Sequence, residues 1–164
     1  RENEVDFGIS NMWHDYPELE YVPLTRDRVG VVCRRDDPLT KKKGAISWHD
    51  LDPEKLFIMA SDTGVYTTLK ERPELDNLLA TPAGEVLVMV TLLEMARAGL
   101  GVTVLPELAK PSDIDSDLVF LPLVNPVVER KLCLIRRRNE PLSTGARKVW
   151  EALRGRIPKV IETI

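Results

Sequence analysis

An α/β fold of two lobes is what this sequence predicts, and two observations carry that expectation. First, a nearly all-apolar helical run over 87–98 is followed by Gly99-Leu100-Gly101 and then by Val102-Thr103-Val104-Leu105. With a short strand expected within 78–86, this gives the strand, helix, glycine turn, strand order of a parallel crossover. Second, Arg28-Val29-Gly30-Val31-Val32-Cys33-Arg34-Arg35, followed by Pro38-Leu39, is echoed by Arg130-Lys131-Leu132-Cys133-Leu134-Ile135-Arg136-Arg137, followed by Pro141-Leu142. The echo is too short to be a repeat unit, but it suggests two strands in similar settings, one leading from a first lobe to a second and one leading back. Two lobes joined in this way form a hinged cleft, whose natural task is to close on a small ligand.

Composition narrows the function classes. The 164 residues fit one domain or two small lobes, and 43% hydrophobic residues suffice for a core without a metal or disulfide staple. A formal net charge of -3 argues against general affinity for nucleic acid or anionic membranes. The two cysteines, Cys33 and Cys133, each sit in an apolar run and read as buried reduced thiols. No secretory h-region and no run long enough to span a membrane is found, so a cytoplasmic location is expected.

Element by element, Val5-Asp6-Phe7-Gly8-Ile9-Ser10 alternates like a strand, yet almost nothing precedes it to pair with, so the native chain is expected to extend upstream of Arg1. Tyr16-Pro17 marks a turn and Val29 to Cys33 a strand. The charged stretch Lys41-Lys42-Lys43-Gly44 reads as a solvated loop, and Ser47 as the cap of a short helix that carries Trp48 to Leu51. Leu56 to Ala60 reads as a strand covered on both faces, ending in Ser61-Asp62-Thr63-Gly64, which can open a helix over Val65 to Arg72. The run 87–98 has one narrow polar stripe, Thr91, Glu94 and Arg97 or Ala98, so burial of most of that helix is expected, with Gly99 ending it in the left-handed conformation. Strands over Leu118 to Leu123 and Arg130 to Ile135 follow. Ser143 then caps a C-terminal helix with Ala146, Val149, Trp150, Leu153 and Ile157 at core spacing.

Catalytic machinery is not visible. His14 and His49 stand in no metal-ligand or triad spacing and are read as surface or packing residues. No Gly-x-Ser-x-Gly elbow or P-loop occurs. Gly99-Leu100-Gly101 follows a helix and precedes a strand, the reverse of a dinucleotide fingerprint, and reads as a tight turn where backbone can approach a ligand.

The combination of Val5-Asp6-Phe7-Gly8-Ile9, Val22-Pro23-Leu24 with Asp27, Asp37-Pro38-Leu39, Trp48-x-Asp50-Leu51, Ala98-Gly99-Leu100-Gly101-Val102-Thr103-Val104-Leu105-Pro106 and Pro141-Leu142-Ser143 resembles the effector-binding domain of LysR-type transcriptional regulators. The segment from Ala98 to Pro106 is the most specific piece. This resemblance implies a type II periplasmic-binding-protein-like fold of two α/β lobes, with lobe one incomplete: residues 1–26 are its remnant, 27–130 the whole of lobe two, and 131–164 the return crossover and the C-terminal helix of lobe one. It implies a cytoplasmic, non-enzymatic sensor without a cofactor. Its partners would be a small-molecule effector and further copies of itself in a homodimer or tetramer, and DNA only through an absent N-terminal winged helix-turn-helix. It places three groups at the effector cleft: Ser10 and Asn11; Ser61, Asp62 and Thr63; and Gly101, Val102 and Thr103. Hydroxyls and free amides there suit a carboxylate or another small anion, which Asp62 would oppose unless it points away. The competing reading is that Ser61 and Thr63 cap a helix and Thr103 fills a strand position.

Three other classes remain. A solute-binding protein could share the lobed fold, as could an enzyme such as a dehydratase or deaminase. A redox sensor would need Cys33 and Cys133 to be neighbours across the hinge.

Overall fold

A computed structural model describes residues 5–11, 15–111 and 117–161, with side chains as far as Gly155. His14 and the side chain of Ile157 lie outside the described residues. In chain order the strands and α-helices are β1 (Phe7–Asn11), β2 (Leu19–Arg34), β3 (Ile46–Ser47), β4 (Leu56–Met59), α1 (Gly64–Lys70), α2 (Asp76–Ala80), β5 (Gly84–Val86), α3 (Met89–Arg97), β6 (Val102–Pro106), β7 (Leu118–Val124), β8 (Glu129–Arg137) and α4 (Thr144–Ile161). The chain divides into two compact units, one made of residues 1–26 and 131–164 and the other of 27–130. One boundary falls inside β2 and the other inside β8.

The 27–130 unit is built on a mixed sheet in the order β3-β7-β2-β6-β4-β5. Its inner strands, β2, β6 and β4, are nearly continuous apolar runs because both faces are covered. Alternation then decides which residue serves which face. Val29, Val31, Cys33, Leu56, Ile58, Val102 and Val104 enter one cluster with Trp48, Leu69 and Leu75. Val32, Met59 and Leu105 enter another, with Leu92 and Ala96 of α3. β2 runs antiparallel to β6 (Val31 opposite Val104) and to β7 (Val31 opposite Leu121), whereas β4 is parallel to both β5 and β6.

Local chemistry sets the ends of these elements. Ser47 forms a capping box with Asp50, whose carboxylate accepts the Ser47 N–H at 2.7 Å. Helix α3 ends in a Schellman motif: Leu100 N–H donates to Met95 O at 3.1 Å, Gly99 N–H donates to Ala96 O at 3.0 Å, and Gly99 holds φ +74 as expected.

The short strand expected within 78–86 is β5, which pairs alongside β4 after helix α2 over Asp76–Ala80. One expectation fails in this unit. The run 87–98 is less buried than its apolarity demands: Leu92 and Ala96 are buried, but Leu87 (63% exposed) and Val88 (57%), which precede α3, and Val90 (65%) within it are exposed with Thr91 and Glu94. A nine-residue helix lying on one sheet face covers a single stripe, whatever the composition of its other side.

In the other unit, β1 pairs antiparallel with β8, from Phe7 opposite Arg136 to Asn11 opposite Leu132. Helix α4 packs Trp150 against Leu24, Leu134 and Leu142, with the Phe7 ring set edge-on at 5.4 Å. Ser143 caps α4 by accepting the Ala146 N–H at 3.2 Å. Val149, expected in the core, is 52% exposed, since the face through Ala146, Trp150 and Leu153 leaves it to one side.

The most demanding polar contact of the 27–130 unit joins its first and last residues. Arg130 donates to Asp27 through Nε (2.9 Å) and Nη2 (2.7 Å), and Leu108 N–H donates to the same carboxylate at 3.3 Å. The two side chains are 12% and 3% exposed. Removing one member leaves a buried charge uncompensated, so Asp27→Ala and Arg130→Ala are each expected to lower stability by roughly 3–5 kcal/mol, while Asp27→Leu/Arg130→Met recovers most of the loss. Urea unfolding of the four proteins checks this.

Candidate functional site

Ligands of open α/β sheets gather at the carboxyl ends of parallel strands. Here that edge belongs to β5, β4 and β6. It is formed by Ala60 to Thr63 after β4, Leu87 and Val88 after β5, and Pro106 at the end of β6 with Glu107 after it. Ala60 N–H donates to Val86 O at 3.0 Å, which ties the first two turns together. Ser61 and Asp62 are exposed and Thr63 is half-buried. Thr63 is the N-cap of α1: its Oγ1 accepts the Tyr66 N–H at 3.3 Å and donates to Ala60 O at 2.7 Å. Capping therefore occupies Thr63, while Ser61 and Asp62 present their side chains to solvent. Sequence reasoning missed Leu87 and Val88 at this edge, because their apolarity was read as core; their place directly after a short strand was the available signal.

The third predicted group lies elsewhere. The register of β4 with β6 sets Val102 beside Leu56 and Thr103 beside Phe57, at the start of β4. Ser61 lies four residues farther along, about 13 Å at strand rise. Gly101 is where a close approach occurs, but to protein: an added Cβ would stand 2.1 Å from the Lys55 carbonyl oxygen. Val102 is buried in the core, and Thr103 is 1% exposed with its Oγ1 unpartnered. Packing thus accounts for Gly101 and Val102, and Thr103 is an orphaned hydroxyl inside the sheet. Ser10, half-buried, and Asn11, 8% exposed, close β1 opposite Cys133 and Leu132 in the other unit.

Both cysteines are free and buried, Cys33 opposite Val119 in one unit and Cys133 opposite Ser10 in the other. Burial, with Asp37 adding to it, pushes the Cys33 thiol up to about 12. Burial also raises Cys133, against a smaller opposing effect of Lys131. Thiolate, the reactive form, is disfavoured at both. No group of three or more His, Cys, Asp or Glu able to hold a metal occurs among the described residues. Among those residues no helix is long and apolar enough to cross a membrane.

The family model described as the LysR substrate binding domain matches residues 1–158. The HTH-type transcriptional regulator YbhD of Escherichia coli K12 is 34% identical over 156 residues, which cover 92% of this chain and 47% of that protein. The reduced form of the OxyR regulatory domain of Pseudomonas aeruginosa is similar in structure, with a TM-score of 0.74 at 22% identity, covering 94% of this chain and 72% of that one. The Synechocystis PCC6803 CcmR regulatory domain, solved in complex with 2-PG, gives 0.73 at 20% identity, covering 94% and 74%. The chain spans about half the length of the curated relatives it matches.

Two tests belong to this geometry. Gly101→Ala is expected to destabilise by about 1–3 kcal/mol or more, since the Lys55 backbone cannot yield as a side chain would; thermal unfolding measures it. Cys33 ionises near 9 when unfolded and near 12 when folded, so its contribution is complete below pH 9 and lost as pH rises from 9 towards 12. Unfolding free energies across that window should fall less steeply in Cys33→Val.

Proposed function

We infer the function from the family: the chain belongs to the LysR substrate binding domain family, and its fold is the two-lobed, periplasmic-binding-protein-like fold of LysR regulatory domains. Its task is to sense a small-molecule effector for a DNA-binding transcriptional regulator of the bacterial cytoplasm. Residues 1–26 with 131–164 serve as lobe one and 27–130 as lobe two. DNA is engaged by a winged helix-turn-helix elsewhere in the regulator, which acts as a homodimer or tetramer.

The observation that carries this reading is the carboxyl edge of β4, β5 and β6, where the exposed Ser61 and half-buried Thr63 lie beside the exposed apolar surface of Leu87 and Val88. With the Thr63 hydroxyl taken up by the cap, the exposed Ser61 hydroxyl beside the apolar side chains of Leu87 and Val88 suits a compact effector that has a polar head and a hydrocarbon body. The head is a carboxylate or another anion, held by hydroxyl and backbone donors and tuned in strength by the opposing charge of Asp62. CcmR, with 2-PG bound, is a fold neighbour that takes a small ligand. Effector occupancy shifts the geometry of the lobes, hence the packing of subunits and the engagement of operator DNA. The relatives are regulators, not solute-binding proteins or enzymes, which favours binding without turnover.

A thermal-shift screen of small organic acids against this chain should yield at least one stabilising ligand that is recovered chemically unchanged. For that ligand, Ser61→Ala should weaken binding while leaving stability within about 0.5 kcal/mol. Asp62→Asn should tighten it, by removal of a like charge. Thr63→Ala should cost about 1 kcal/mol of stability through the lost cap. A ligand indifferent to Ser61 and Asp62, or no ligand across the panel, would sink this assignment of the site.

A further inference from the structure

The unit formed by 1–26 and 131–164 has a feature that effector sensing at the β4–β6 edge leaves unused. A cavity of about 400 Å³ opens beside α4, at the end of β8 that carries Arg136. Its base is a guanidinium held in place twice over. Arg136 Nε and Nη2 both reach Glu20 Oε2 at 2.6 Å, and the same group lies over the Trp150 ring, 5.5 Å from its centroid. Among the described residues, Nη1 has no partner. An arginine fixed this way keeps free donors at a known position without the entropy loss of ordering a long side chain when a ligand arrives.

Above it on α4 stand Arg147 and Arg154, both exposed and neither in an ion pair among the described residues. Seven residues apart, they lie on one helix face about 10 Å from each other, with Glu151 between them. Glu20 neutralises Arg136, so the lining carries one net positive charge once Glu151 is set against the two α4 arginines. The surroundings strengthen it: residues 131–164 hold nine Lys and Arg against three Glu, within a chain whose formal net charge is -3. Local potential therefore opposes the sign of the whole molecule and draws anions towards this surface. Leu142 gives the cavity an apolar side.

We propose that this cavity is a second small-molecule site, for a compact oxyanion (a carboxylate or phosphate group) held by Arg147 and Arg154 at the rim and by Arg136 at the base. It is separate from the effector edge of the 27–130 unit, and its occupancy adds an input through α4, the helix that covers the β1 and β8 strands.

The test uses this chain in titrations with sodium phosphate and with sodium succinate at ionic strength fixed by sodium chloride, followed by NMR at the Trp150 indole N–H and the Arg136 Nε–H. A saturable shift with either anion is expected. In Arg147→Ala/Arg154→Ala the dissociation constant should rise at least about tenfold, because two charge-assisted contacts are lost. Both residues are exposed, so the variant should fold. Ser61→Ala should bind as tightly as the parent, which separates this site from the effector edge. The proposal is overturned if neither anion saturates, if sodium chloride alone reproduces the shifts, if the double variant binds unchanged, or if Ser61→Ala loses the same affinity.

Discussion

The Asp27 to Arg130 ion pair is the constraint on which the rest of the arrangement depends. Its members are 103 residues apart in sequence, yet they are the first and last residues of the 27–130 unit, on β2 and β8. Two buried charges lose much of their hydration, and a bidentate contact with one extra N–H donor roughly offsets that loss without a large net gain. Specificity of placement is the benefit: a fork of two hydrogen bonds has one geometry, so the point where β2 enters the unit is fixed against the point where β8 leaves it. The third donor, Leu108 N–H, extends the same restraint to the turn after β6. Next to it, Arg28 reaches Glu107 at 3.3 Å, a second and more exposed stitch between β2 and that turn. The carboxyl edge of the sheet is thus anchored to both strands that cross the unit boundaries, and a change at that edge has a short physical path to them.

Between these anchored strands the hydrophobic effect does the larger part of the work. Val29, Val31 and Val32 are fully buried on alternate faces of one strand, as are Leu105 and Val104 on its neighbour. A sheet covered on both sides has no tolerance for slippage, since a shift of one residue would exchange the two clusters wholesale. That rigidity holds the loops at the strand ends in position, and loops on a rigid scaffold are where ligand contacts are most readily placed.

Much of this was legible in the sequence wherever the determining interaction is local. The cap at Ser143, the capping box at Ser47 and the left-handed Gly99 each involve residues within a few positions of one another, and each appears where the pattern put it. Buried strands were legible because both their faces are apolar. Long-range determinants were not. Nothing near Gly101 in sequence reveals that the Lys55 carbonyl fills the space where a side chain would go, and so its backbone approach was assigned to a ligand. Nothing near Leu87 or Val90 reveals that only one stripe of α3 meets the sheet. Asp27 and Arg130 stand 103 residues apart, and only the fold brings their side chains together.

Charge then separates the two units in a way that composition alone conceals. The net charge of -3 averages a basic C-terminal segment with acidic residues concentrated in the rest of the chain. At the carboxyl edge of the 27–130 sheet stand the exposed Asp62 and the pair of exposed Arg28 with half-buried Glu107, so the anionic ligand proposed there would be held mainly by hydroxyls and backbone dipoles against one opposing carboxylate. Binding of that kind is weak per contact and depends on exact placement of neutral donors, which the anchored strand ends provide. On α4 the balance is reversed, with fixed and exposed guanidiniums ready for any oxyanion of suitable size. In the proposed reading, the weakly charged edge discriminates by shape and the positively charged surface on α4 by charge. Screening by salt should therefore weaken the second far more than the first.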